Sequence, residues 1–162
     1  MSVDAPPPTT PLPLHNFTCL PDPDNPGWMR WQLADTARFN EAVLGKQIAR
    51  TEGPDTCRMR MFPQVPLHTN SAGNVHGAIT LALADVSLFV ALYMLRGIDA
   101  GSSVTLDMSA QFIGGGDAAR PLDAVVELLR ETRRLAFLRG LVVQGDDLVA
   151  SFSGTVRKPS GQ

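Results

Sequence analysis

An α+β fold, one antiparallel β-sheet wrapped around one long central α-helix, is predicted by three observations. A nearly uninterrupted apolar run extends from Ile79 to Leu95 and carries a single charge, Asp85. A hairpin pattern precedes it: Cys57, Met59 and Met61 alternate with Arg58 and Arg60, behind a Gly53-Pro54-Asp55 turn. A meander of alternating segments follows it, separated by turn-forming residues.

The apolar run is too long for a strand, is rich in Ala and Leu, and meets no Gly or Pro before Gly97, so it predicts a helix. Asn70, Ser71 and Asn74 supply capping chemistry ahead of it. Hydrophobic positions on nearly every face predict a helix enclosed by protein. The rival is a membrane span. It would want about 20 apolar residues, and a central Asp costs roughly 2.5–3.5 kcal/mol on insertion scales. A single such segment followed by alternating strands favours the buried helix.

The remaining elements follow in chain order. Eight of the thirteen prolines fall in residues 1–26, which predicts an extended or irregular arm, because Pro lacks a donor and resists helix and central strand. Residues 27–158 form the expected single domain, and 159–162 a short tail. Trp28, Trp31, Leu33, Ala37, Phe39 and Val43 are roughly helically spaced before Gly45, so Trp28 to Leu44 reads as a helix anchored on the sheet by its two Trp. Lys46 to Arg50 and Cys57 to Phe62 form the hairpin, which Pro63 and Pro66 end; His68 is a polar loop residue with no assigned role. Past the central helix, Val104, Leu106, Met108, Ala110 and Phe112 alternate with polar residues. Gly114-Gly115-Gly116 then reads as a mobile inter-strand loop, since neither Gly-Lys-Ser/Thr nor a helix follows, as a phosphate loop would need. Leu122 to Arg130 and Leu135 to Val143 are β-compatible, and Gly145-Asp146-Asp147 turns the chain into a last strand alternating through Val156.

Composition excludes several functions. Fourteen basic residues face sixteen acidic ones with no basic run, so no nucleic-acid surface is indicated. Cys19 and Cys57 form no metal-type cluster, and no metal is expected; two reduced thiols fit a cytoplasmic protein. No Lys or Arg precedes Arg30, so no secretory signal is read, and no membrane association is expected.

The carboxylate inside an apolar helix is costly unless something uses or satisfies it, and it points to function. Asn70-x5-His76-Gly77-x7-Asp85, with the strand-like Val104-Thr105-Leu106-Asp107-Met108 and Arg134-Leu135-Ala136-Phe137 behind it, resembles the hotdog-fold acyl-CoA thioesterases of the phenylacetyl-CoA thioesterase (PaaI-like) type. The resemblance covers roughly residues 39–157. Ala78 departs from it, standing where the family has the second Gly of His-Gly-Gly. The resemblance implies hydrolysis of an acyl- or aryl-CoA thioester. Coenzyme A is then part of the substrate, and no further cofactor is needed. It also implies sites shared across a dimer interface, with dimers often pairing into tetramers. Asn70, His76 and Gly77 would face Asp85 of the partner subunit, and Thr105 would lie near the attacking water.

The chemistry of the residues agrees. Thioester hydrolysis needs a group that activates water or attacks directly, and donors for the oxyanion that develops on the carbonyl. Asp85 suits the first role as general base or nucleophile. The Gly77 N–H, at a helix start, suits the second, and Gly allows close approach of a carbonyl. Eight residues of helix separate them by about 12 Å of rise, too far for one small reaction centre, so a dimer with antiparallel neighbouring helices is expected. Arg133 and Arg134 are candidates for the coenzyme A phosphates. Each residue has a structural alternative: a buried bonded carboxylate for Asp85, a cap or loop brace for His76, turn chemistry for Asn70, an ordinary sheet position for Thr105, a solvated turn for the Arg pair. A non-catalytic acyl-CoA-binding module is the alternative function, disfavoured because a pure binding pocket needs no carboxylate in that helix. A hotdog hydratase would want an Asp–His pair spaced for water addition, which is not seen.

Overall fold

The computed structural model describes residues 16–159. Eight strands form one sheet in the order β1-β2-β3-β4-β6-β7-β8-β5, every neighbour antiparallel. They are β1 (Phe17–Pro21), β2 (Met29–Leu33), β3 (Gln47–Thr51), β4 (Thr56–Met61), β5 (Val104–Phe112), β6 (Leu122–Glu131), β7 (Leu135–Gln144) and β8 (Asp147–Arg157). A short helix α1 (Phe39–Ala42) precedes β3, and the long helix α2 (Gly77–Arg96) lies between β4 and β5. The expected architecture is therefore present.

The helix α2 has the length and composition to cross a bilayer, but it packs against β3 through β8. Leu83, Leu88, Val90, Ala91 and Leu92 are buried against the sheet. One cross-strand row under the helix, Ala49–Met59–Ala124–Val142–Ala150, is apolar and mostly small, so the helix can settle closely. The approach is tightest at Gly154, where an added Cβ would come within 2.6 Å of a Leu88 methyl. Gly97 ends the helix in the left-handed conformation (φ 67°), and its N–H returns to the last-turn carbonyls.

Two expectations near the N-terminus need correction. Trp28 to Leu44 is not one helix: β2 takes Met29–Leu33, and only Phe39–Ala42 is helical. The helical spacing of Trp28 and Trp31 coincided with a two-residue alternation, Met29-Trp31-Leu33 against Arg30-Gln32, whose burial follows the strand. Within 1–26, β1 pairs with β2 from Phe17↔Leu33 to Pro21↔Met29. Pro21 is tolerated because β1 is an edge strand and Pro21 its last residue. The start of the arm lies outside the described residues.

The loop before α2 is also more built than expected. The N-cap is His76, whose Nδ1 accepts from the Ala78 N–H at 3.0 Å; Asn70, Ser71 and Asn74 do not cap. The triple glycine is packed rather than free: Gly116 C=O accepts from Val75 N–H at 2.7 Å, and a Cβ on Gly115 would stand 3.1 Å from the Asn74 side chain.

Candidate active site

Asp85 sits midway along α2, half-buried, facing the start of β5. Thr105 Oγ1 donates to its Oδ1 at 2.8 Å, the single side-chain bond Asp85 makes among the described residues. One carboxylate oxygen is thus fixed, and the other accepts no hydrogen bond among the described residues. The strand β5 places Thr105 with help from an irregularity: pairing with β8 slips between Thr105 and Asp107, leaving Leu106 unpaired. Such a bulge re-aims neighbouring side chains.

Asp85 opens on a cavity of about 190 Å³ that is also lined by Phe17, Trp31, Asn40, Phe89 and Ser103. A larger groove of about 620 Å³ crosses the opposite face of the sheet, among Ser109, Gln111, Ser151 and Ser153. Its charged residues, Arg139 and Glu127, pair with each other at 2.8 Å. The groove thus offers no unpaired acid or base, and the smaller cavity is the candidate site. Neither cysteine competes with Asp85 as a nucleophile. Burial pushes the Cys19 thiol up to about 11 and the Cys57 thiol up to about 12, so both stay protonated at neutral pH.

The other expected residues gather at the N-terminal end of α2. Asn70 Oδ1 accepts from the N–H groups of Ala72 (3.0 Å) and Asn74 (3.1 Å), closing a tight loop, and its amide nitrogen makes no bond among the described residues. His76 is exposed and spends Nδ1 on the helix cap. The Ala78 N–H is consumed by that cap, whereas the Gly77 N–H makes no hydrogen bond among the described residues. Phe112 covers Gly77: a Cβ there would lie 3.4 Å from its ring. Within one chain, Thr105 therefore joins Asp85, while Asn70, His76 and Gly77 form a second cluster, the helix start lying about 12 Å of rise from Asp85. Arg133 and Arg134 are exposed in the β6–β7 turn. The row Thr105–Val156–Ala136 puts that turn at the Asp85 end of the sheet, and Arg134 C=O accepts from Lys158 N–H.

Sequence reasoning passed over two contributors. Trp31 was read on the wrong element; the alternation through β2 was its signal. His68 is fully buried and ties three segments together. Its Nδ1 accepts from the Gln64 N–H at 2.9 Å, so the proton sits on Nε2 and is donated to Val43 C=O. Its own C=O accepts from the His76 N–H at 2.7 Å, holding the entry to α2. His68→Leu would leave the Gln64 N–H and the Val43 C=O without their side-chain partner. It is expected to cost about 2–5 kcal/mol, read as a fall in melting temperature of roughly 5–15 °C. A change under about 2 °C in thermal unfolding would contradict this bracing role.

The sequence profile of the acyl-CoA thioesterase N-terminal domain family matches residues 65–157, more than half of the chain. Human acyl-coenzyme A thioesterase 13 is similar, at 29% identity over 104 residues, 62% of this chain and 70% of that protein. Among solved structures, a mutant of the phenylacetic acid degradation protein PaaI from Thermus thermophilus superposes with a TM-score of 0.60 at 26% identity, covering 74% of this chain and 96% of that one. A hypothetical thioesterase protein from Streptococcus pneumoniae, solved with coenzyme A, shares the fold (TM-score 0.59, 20% identity), covering 70% of this chain and 90% of that one.

Proposed function

Because this chain belongs to the acyl-CoA thioesterase family as a PaaI-like hotdog protein and is therefore a thioester hydrolase, we propose that it hydrolyses acyl-CoA at a site shared between two subunits, with Asp85 as the reacting carboxylate and the Gly77 N–H as oxyanion donor. The observation that carries this reading is the separation within one chain of two half-sites, Asp85 with Thr105 and Gly77 with Asn70 and His76.

In this reading Asp85, oriented by Thr105, deprotonates a water that adds to the thioester carbon, or adds to it directly to give an anhydride that water then opens. Negative charge collects on the thioester oxygen and is met by the Gly77 N–H at the positive end of α2. Collapse of the tetrahedral intermediate breaks the C–S bond. In the general-base route it gives the free acid, and the thiolate takes the proton held by Asp85. In direct attack the thiolate leaves as the anhydride forms and takes a proton from solvent; water then opens the anhydride to the free acid and Asp85. The retained Asn70 amide and His76 ring position the thioester. Arg133 and Arg134 of the Asp85-bearing subunit take coenzyme A phosphates, since their turn lies at that end of the sheet.

The free edge of β5 supplies a route to the dimer. Among the described residues β5 ends the sheet and pairs only with β8, and it exposes Val104 (43%), Leu106 (53%) and Phe112 (54%). Unpaired edge groups and apolar side chains together invite a second copy. Two such edges meeting antiparallel would set Asp85 of one helix toward Gly77 of the other. Homodimers formed this way could pair into a homotetramer. Purified protein assayed against a panel of acyl-CoAs, with light scattering at micromolar concentration, tests the reading. Hydrolysis by a dimer or larger species is expected, and a fully active monomer would overturn the shared site.

A further inference from the structure

No run of the sequence is basic, yet the fold gathers arginines at one end of the sheet. Arg130 lies near the end of β6, Arg133 and Arg134 in the β6–β7 turn, and Arg157 closes β8. Arg130 pairs with Phe137 and Arg157 with Leu135, two positions apart on β7. Alternation therefore sets both on the face turned away from the buried Ala136 and Leu138. They flank β7 two strands apart, about 10 Å at about 4.8 Å per strand. All four arginines are exposed, and none has a side-chain hydrogen bond or ion pair among the described residues. Neighbouring charges are already matched: Glu131 meets Arg96 and Lys158, and Arg139 holds Glu127 at 2.8 Å. Asp107, exposed on β5 across from Thr155, is the acid that opposes the arginines on that face. The chain as a whole carries a net charge of −2, so this positive field is local. Two bulky apolar side chains share the tip. Leu129, at the irregularity of β6, is 51% exposed, and Phe137 is 36% exposed.

We propose that this tip docks the protein on an anionic lipid surface. Guanidinium groups pair with headgroup phosphates and carboxylates, and Leu129 and Phe137 enter the boundary between headgroups and acyl chains. Exposed apolar side chains set among unpaired cations favour lipid over an acidic protein, which would draw on the arginines alone. Arg133 and Arg134 already serve coenzyme A, so Arg130 and Arg157 are the discriminating pair. Both lie across the sheet from Asp85, and the docking does not depend on the mechanism proposed for that residue. The protein lies on the surface in this account, and α2 stays in its core. The sequence hid the patch because its arginines come from three segments and converge only through strand register. An acyl-CoA is itself amphiphilic. The row Thr105–Val156–Ala136 runs at this end of the sheet, so docking brings Asp85 to where such substrates collect.

The test follows the full chain onto sedimented phosphatidylcholine vesicles, with or without about 30% phosphatidylserine. Wild type is expected on the anionic vesicles only, and about 0.5 M salt should weaken that binding about tenfold or more. Each arginine lost at an anionic surface weakens partition about fivefold, so Arg130→Gln with Arg157→Gln should weaken it about 25-fold. Leu129→Ser with Phe137→Ser should weaken it about tenfold and leave the salt dependence in place. All four side chains are exposed, so both double variants should melt as wild type does. Their kcat/KM for butanoyl-CoA, measured without lipid, should stay within about twofold of wild type. If one double variant loses its cooperative melt, the other decides alone. No binding to anionic vesicles, equal binding to neutral ones, or wild-type binding by the arginine variant overturns the proposal. A raised KM for butanoyl-CoA with unchanged vesicle binding gives Arg130 and Arg157 to coenzyme A instead. Polyglutamate bound as tightly as the anionic vesicles, and unaffected by Leu129→Ser with Phe137→Ser, gives the tip to an acidic protein. Either result also overturns the lipid assignment.

Discussion

Asp85→Asn is expected to lower kcat by about 10²–10⁴, the range of a lost general base, with fold and assembly intact. Asn keeps the shape of the carboxylate and keeps an oxygen for the Thr105 hydroxyl, which donates to Oδ1 at 2.8 Å. What it loses is the charge and the ability to take a proton or to attack. KM should change little, because the interaction removed develops during reaction. A purely structural Asp85 predicts the reverse: near-normal turnover and a shifted melting temperature. Acyl-CoA hydrolysis and thermal unfolding measured on one Asp85→Asn sample separate the two, and near-wild-type turnover removes Asp85 from the mechanism.

The second large effect is expected at the other half-site. Gly77 is the first residue of α2, a position where Pro is well accommodated because its N–H has no intrahelical role. His76 already has the extended backbone that a following Pro requires (φ −64°, ψ 137°). Gly77→Pro therefore deletes the proposed oxyanion donor while leaving the helix able to start. The side-chain ring meets Phe112 near ordinary contact, since a Cβ would sit 3.4 Å from it. Loss of one oxyanion donor is expected to cost about 10²–10³ in kcat. A Gly77→Pro protein that melts normally and turns over within about threefold of wild type would show that the oxyanion is held elsewhere.

Those two sites differ in how plainly the sequence announces them. Asp85 was legible because burial physics disfavours a lone carboxylate in an apolar helix. The sheet after α2 was legible because alternation persists through β5 to β8, with one face buried along much of β6, β7 and β8 and partly covered in β5. The N-terminal third was not. β1 and β2 have five residues each, too few for the two-residue period to outweigh a coincidental Trp28–Trp31 helical spacing. The proline content of residues 1–26 further hid an edge strand, which can hold Pro21 where a central strand could not. His68 was illegible because its local bonds to Gln64 matter only together with the distant Val43 C=O and the His76 N–H, which only the folded chain brings to it. The cap by His76 was legible only as an alternative, because Asn and Ser are the residues whose side chains ordinarily do that work.

The central claim, that each site draws Asp85 and Gly77 from different subunits, is tested most directly by mixing the two variants. Asp85→Asn and Gly77→Pro proteins, each nearly inactive, are combined in equal amounts under conditions that exchange subunits. In a mixed dimer one site then carries both substitutions and the other carries neither. Random pairing makes half the dimers mixed, so about a quarter of wild-type activity should return, approached at the rate of subunit exchange. If both groups served one site within a single chain, no intact site could form. Activity that stays at the sum of the two separate variants, with exchange verified, would contradict the account.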